Sequence, residues 1–180
     1  MRRINVSILA ILGLPLAAAF AENVQPYAGL ETRAIKALSE EQIADLRAGR
    51  GMGLALAAEL NGYPGPRHVI ELAKHLELTE AQHAEVQALF DAMQAETVPI
   101  GESLIEREVE LERQFADRTV TPASLNALTQ EIGGIQGALR AAHLRYHLAT
   151  LAALTPQQVE RYNEKRGYGT SATGHHHRAH

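Results

Sequence analysis

From Thr121 onward the apolar residues Leu125, Leu128, Ile132, Ile135, Leu139, Ala142, Tyr146, Ala149 and Ala153 alternate three and four positions apart without a slip. That spacing draws one seam along an α-helix at least four heptads long, about 48 Å at ~1.5 Å per residue. Such a seam needs a partner. Thr79 to about Ala116 offers one, with Val86, Leu89, Phe90, Met93, Ile100, Leu104, Leu111 and Phe115 on a similar mixed spacing. The link from Asp117 to Val120 is short, so the two helices are predicted to fold back antiparallel. Thr121-Pro122 supplies an N-cap followed by proline at the first helical position. Pro99 lies inside the first long helix, where a missing N–H and a crowded preceding turn predict a kink or break near Val98.

Composition agrees with a slim helical body. The hydrophobic share is 46%, enough for a packed core, but aromatics are only 4% and Trp is absent. The core is therefore built from Leu, Ala, Val and Ile, and no segment shows the alternation of a strand. The expected fold class is all-α, a long antiparallel helical hairpin with short N-terminal helices. The absence of cysteine excludes a disulfide scaffold, a thiolate metal site and a Cys nucleophile. A net charge of −4 argues against a duplex nucleic-acid partner. No H-E-x-x-H, G-x-S-x-G or paired-carboxylate arrangement points to an enzyme. Gly49-Arg50-Gly51-Met52-Gly53 lacks the spacing and the preceding strand of a dinucleotide loop and reads as a helix–helix turn.

The chain divides into four parts. Residues 1–21 have the anatomy of a secretory signal peptide: Arg2 and Arg3, an apolar run from Ile4 to Leu16, and Ala19-Phe20-Ala21 as cleavage site. The run is shorter than the ~20 residues of a membrane span. This places the mature protein in the periplasm and removes two positive charges. Residues 22–66 form an N-terminal segment with short helices, expected over Ser39–Gly49 and Leu54–Leu60. Residues 67–166 hold the hairpin, opening with a helix from Arg67 to Leu76. Residues 167–180 form a flexible, His-rich tail. Leu144, Leu148 and Leu151 lie opposite the seam of the second long helix, so that helix must be covered twice, by the N-terminal helices or by a second subunit. Gly133 and Gly137, one turn apart, allow either close approach of another helix or local flexibility.

The pattern Leu-[Ser/Thr]-x-x-Gln occurs at Leu38-Ser39-Glu40-Glu41-Gln42, Leu78-Thr79-Glu80-Ala81-Gln82 and Leu154-Thr155-Pro156-Gln157-Gln158. In each, the hydroxyl accepts from the N–H three residues on and the Gln accepts from the cap's own N–H, worth ~1 kcal/mol per cap. The leading Leu staples onto the fifth residue, Ile43 or Val159; His83 makes the second staple weak.

Leu78, Thr79 and Gln82 with Leu154, Thr155 and Gln158, one set opening each arm of a helical hairpin region, resemble the LTxxQ family of small periplasmic stress proteins. That is the Spy/CpxP group, related to the ZraP and CnrX kind of periplasmic heavy-metal-resistance proteins. The resemblance covers residues 67–166 and leaves the N-terminal segment unexplained. It implies a curved antiparallel homodimer without catalysis. Such a protein holds unfolded or misfolded envelope proteins without ATP, or reports stress to a sensor partner. This chain departs from the basic concave surface of the chaperone members. Glu102, Glu106, Glu108, Glu110 and Glu112 crowd one helix with only Arg107 and Arg113 among them. Apolar contact is therefore the expected mode of client binding.

The alternative function is heavy-metal binding through histidines. His143 and His147 stand at i and i+4, the spacing by which one helix gives two ligands. They are expected to flank the seam, with Glu71 and His75 as candidates to complete the set. The tail residues His175, His176, His177 and His180 form a second cluster able to bind Zn, Ni or Cu, or else an inert polar tail. No cofactor is required by either reading.

Overall fold

The computed structural model describes residues 25–168. Among them it is all-helical, with two long helices packed together. After a 3-10 turn at Leu30–Thr32 the order is α1 (Glu40–Arg47), α2 (Leu56–Glu59), α3 (Pro66–Glu71), α4 (Glu80–Ala116), α5 (Pro122–Ala152) and α6 (Pro156–Arg166). α4 packs along α5, α1 and α3 lie on α4, and α2 lies on α5. Helical hydrogen bonding in α3 ends early, and the chain passes from Leu72 to Leu76 in turns. No helix among the described residues is long and apolar enough to cross a membrane.

Every predicted cap forms. Ser39, Thr79 and Thr155 each accept from the N–H of the Gln three residues on, and each Gln side chain returns the bond to the cap's N–H. Thr121 makes the same box with Ser124.

Pro99 does not break the long helix, which runs unbroken over 37 residues. The proline and Ala95, whose carbonyl loses its partner, are both exposed, so water can take the freed bond. Thr97, Gly101, Leu104 and Ile105 on the other side are buried and pack this stretch into the body.

Two apolar clusters divide the interior. The first joins Ile35 and Leu46 from the N-terminal segment to Leu104, Ile105, Ile132 and Leu139 of the long helices. At Gly101 the backbones come close, and an added Cβ would stand 2.6 Å from the carbonyl oxygen of Leu46. The second cluster is Val69, Leu76, Val86 and Tyr162, with Leu78 and Leu154 packed against it. The leading Leu of both hairpin motifs thus joins a shared core. At the first motif, Leu38 and Ile43 both pack on the first cluster.

The second apolar side of α5 is unevenly covered. Leu144 and Leu151 are half-buried, while Leu148 keeps 58% of its surface exposed. An added Cβ at Gly133, Gly134 or Gly137 would meet nothing within 4 Å, so no described part of this chain approaches those glycines closely.

Candidate functional site

The two motif glutamines meet. The Gln82 side-chain NH₂ donates to Gln158 Oε1 at 2.8 Å and to the Ala153 carbonyl at 3.0 Å. The Gln158 NH₂ donates to Gln82 Oε1 at 3.0 Å and to the Leu76 carbonyl at 3.3 Å. Each Oε1 also accepts its own cap N–H, Thr79 at 3.1 Å and Thr155 at 2.9 Å. A primary amide has two donors and two acceptor sites, and both amides use all four. The pair ties the starts of α4 and α6 to the end of α5 and the turn after α3. All six motif residues, Leu78, Thr79, Gln82, Leu154, Thr155 and Gln158, therefore gather at one end of the two-helix body.

The histidine pair lies elsewhere, and its surroundings differ from the expectation. His143 and His147 do not merely flank the seam; they are 3% and 8% exposed. Glycine loops from the N-terminal segment press onto them. An added Cβ at Gly65 would stand 2.9 Å from the His147 ring, and one at Gly51 would stand 3.6 Å from His143 Nδ1. His147 Nδ1 lies 2.7 Å from the Tyr63 carbonyl, which makes that nitrogen the donor. Burial, and then the neighbouring His147, holds the His143 imidazole below its ordinary value.

Glu71 and His75 do not join them. Glu71 pairs with Arg67 at 2.9 Å and His68 at 3.0 Å, which lowers its pKa, and His75 is exposed. The carboxylate that approaches His147 is Glu59. Its Oε1 accepts from the Tyr162 hydroxyl at 2.5 Å and lies 3.4 Å from Arg166 Nε, and its Oε2 lies 3.8 Å from His147 Nδ1. Burial and this bond push the Tyr162 phenol far up. The only sequence hint of Glu59 was a lone carboxylate among the small residues Ala55, Ala57 and Ala58.

These groups border a cavity of about 370 Å³ between the N-terminal segment and the long helices. Gly49 to Gly53, Phe90, Met93, His143 and His147 help line it. Glu59 Oε2 and His143 Nε2 are buried beside it without hydrogen-bond partners. Among the described residues no group of three His, Cys, Asp or Glu is placed to hold a metal ion. His175, His176, His177 and His180 lie outside the described residues.

Most of the acidic run is paired. Glu112 binds Lys36 at 2.8 Å, Glu102 lies 3.3 Å from Arg47, and Glu110 binds Arg113 at 2.8 Å. Arg113 and Gln114 together hold the Glu110 carboxyl down at about 2. Glu108 is buried, which raises its pKa.

Comparison with known protein families, curated proteins and solved structures finds no match to this chain.

Proposed function

We propose that this chain is a periplasmic, ATP-independent holding chaperone or envelope-stress adaptor of the LTxxQ kind. In this reading it is an antiparallel helical hairpin that works as a curved homodimer, has no catalytic role, and binds unfolded clients through apolar helical surface. The observation that carries the reading is the reciprocal amide pair of Gln82 and Gln158. It gives the two Leu-Thr-x-x-Gln segments a joint structural role that independent helix starts would not need. The ion pairs Glu96–Arg145 and Arg107–Glu131 descend α5 as they climb α4, which supports the antiparallel arrangement. Leu56, Leu60, Val109, Phe115 and Leu148 stay exposed and are open to an apolar client. The periplasmic location rests on residues 1–21, outside the described part of the chain.

Sedimentation velocity with a reduced, alkylated and therefore permanently unfolded client tests the reading. The mature chain is expected to sediment as a dimer and to carry client with it without nucleotide or metal. No co-sedimentation at stoichiometric excess overturns it.

One observation favours metal binding as a second reading. His143 Nε2 is buried with no partner on the helix that also carries His147. In this reading α5 gives two imidazoles to Zn, Ni or Cu. Client binding that appears only with zinc decides for it.

A further inference from the structure

We propose that the face of α4 and α5 beneath residues 35–54 is the client-binding surface. Those residues are a displaceable stand-in for an apolar helical segment with basic residues beside it. The inference rests on the client-holding reading and names its surface.

The stand-in shows what the face accepts. Ile35 and Leu46 enter among Leu104, Ile105, Ile132 and Leu139, while Leu38, Ile43 and Leu54 pack at the edge. These are Leu and Ile side chains on a short helix and its flanks, the usual content of helix-in-groove recognition. Gly101 lets the guest backbone touch the host helix. Lys36 and Arg47 reach Glu112 and Glu102 at the rim. Glu102 and Glu112 thereby gain a purpose: they select apolar segments that carry Lys or Arg.

The stand-in is also poorly fastened. α1 has 8 residues, too few to be stable alone. Its rim ion pairs are exposed, and such pairs hold weakly. The cavity of about 370 Å³ lies along the joint. One buried polar atom there, His143 Nε2, lacks a partner that water would supply once Gly51 moves away. A joint with a void and an orphaned polar atom belongs to the low-stability end of a molecule. The segment ends in a turn with Met52 at φ 44° and Gly53 at φ 82°. The far end of the body stays closed without the cover, because Val69, Leu76, Val86, Tyr162 and the glutamine pair all lie outside residues 35–54.

The chain contains no cysteine, which makes a tether clean. Ala48 and Gln94 are neighbours across the joint, with Gln94 Nε2 donating to the Ala48 carbonyl at 3.3 Å. The Ala48→Cys/Gln94→Cys variant is closed by oxidation, directly or through a short bis-methanethiosulfonate bridge that spans a wider gap, and released by reductant. The probe is a fluorescent synthetic peptide of residues 34–54, read by anisotropy. The reduced variant is expected to bind it and the oxidised variant to bind at least tenfold more weakly, with reductant restoring binding. The same peptide with Lys36 and Arg47 changed to Glu is expected to bind more weakly. Equal binding by both forms, or none by the reduced form, overturns the inference. Amide hydrogen exchange on the unaltered chain reads the same opening independently. α1 is expected to lose protection well before the centres of α4 and α5, and equal protection contradicts the proposal. A client-aggregation arm separates the two ideas. Suppression that survives oxidation sinks this surface and leaves the chaperone reading standing. Peptide binding without any suppression sinks the chaperone reading and leaves the surface standing.

Discussion

Gln82 and Gln158 stand 76 positions apart and exchange two amide hydrogen bonds, at 2.8 and 3.0 Å. Each bond links one cap to the other, so neither motif is locally complete. Losing either amide leaves part of the other, and a backbone carbonyl, without a partner in a part-buried place. Gln82→Ala and Gln158→Ala are each expected to cost about 1–3 kcal/mol, read by urea unfolding. The double variant should cost clearly less than the two single costs together, with a coupling of about 1 kcal/mol. Additive losses would mean that the two caps act independently.

Glycines in the long helices make opposite predictions. Gly101 has no room for a methyl group, since its Cβ would press on the Leu46 backbone at 2.6 Å. Gly101→Ala should push α1 off α4 and destabilise by about 1–3 kcal/mol. Gly134 and Gly137 face open space with ordinary helical φ, so Gly134→Ala and Gly137→Ala should each stabilise by about 0.5–1 kcal/mol. Thermal melts of the three variants check both signs. A destabilising change at Gly134 or Gly137 would show that a second subunit sits against that side.

Local rules made some features readable and left others hidden. The caps and the seam were legible because each depends on residues within one or two turns. Leu128, Ile132, Leu139 and Ala142 are indeed buried. Of the kink or break that Pro99 predicts, the break does not occur, because tertiary packing of Thr97, Gly101 and Leu104 outweighs one lost bond on an exposed side. The burial of His143 and His147 was not legible. It depends on Gly51 and Gly65, far away in sequence, fitting their backbone over the rings. Glu59 was missed for the same reason, since its partners Tyr162 and Arg166 come from the last helix. Nothing local tells Gln82 to pair with Gln158. Their shared pattern suggested a shared task, and only the return of α5 brings them together.

Glu108 gives a pH-dependent test. It is 9% exposed, has no hydrogen bond or ion pair among the described residues, and burial raises its pKa above 4.5. Below ~4.5 the carboxyl is protonated in both folded and unfolded states and costs nothing. As pH rises through 4.5 the unfolded chain ionises first, so stability falls until the folded value is passed. Glu108→Gln should therefore melt higher than the parent at pH 7, by about 1–3 °C. The gap should close below pH 4. A gap that persists at pH 3.5 would mean that the gain is not electrostatic.

The histidine pair is tested with residues 169–180 removed, so that the tail contributes nothing. If α5 supplies ligands, zinc at a hundredfold excess over Kd should raise the melting temperature by about 5 °C or more. His143→Ala should abolish that rise. The same rise in both proteins would remove His143 from any metal site.

Light scattering of a client driven to aggregate, in the presence of the mature chain and without ATP, tests the central reading most directly. The expected result is suppression that saturates near one dimer per client and is unaffected by chelator. Aggregation that proceeds at its unassisted rate under a stoichiometric excess of the chain would contradict it.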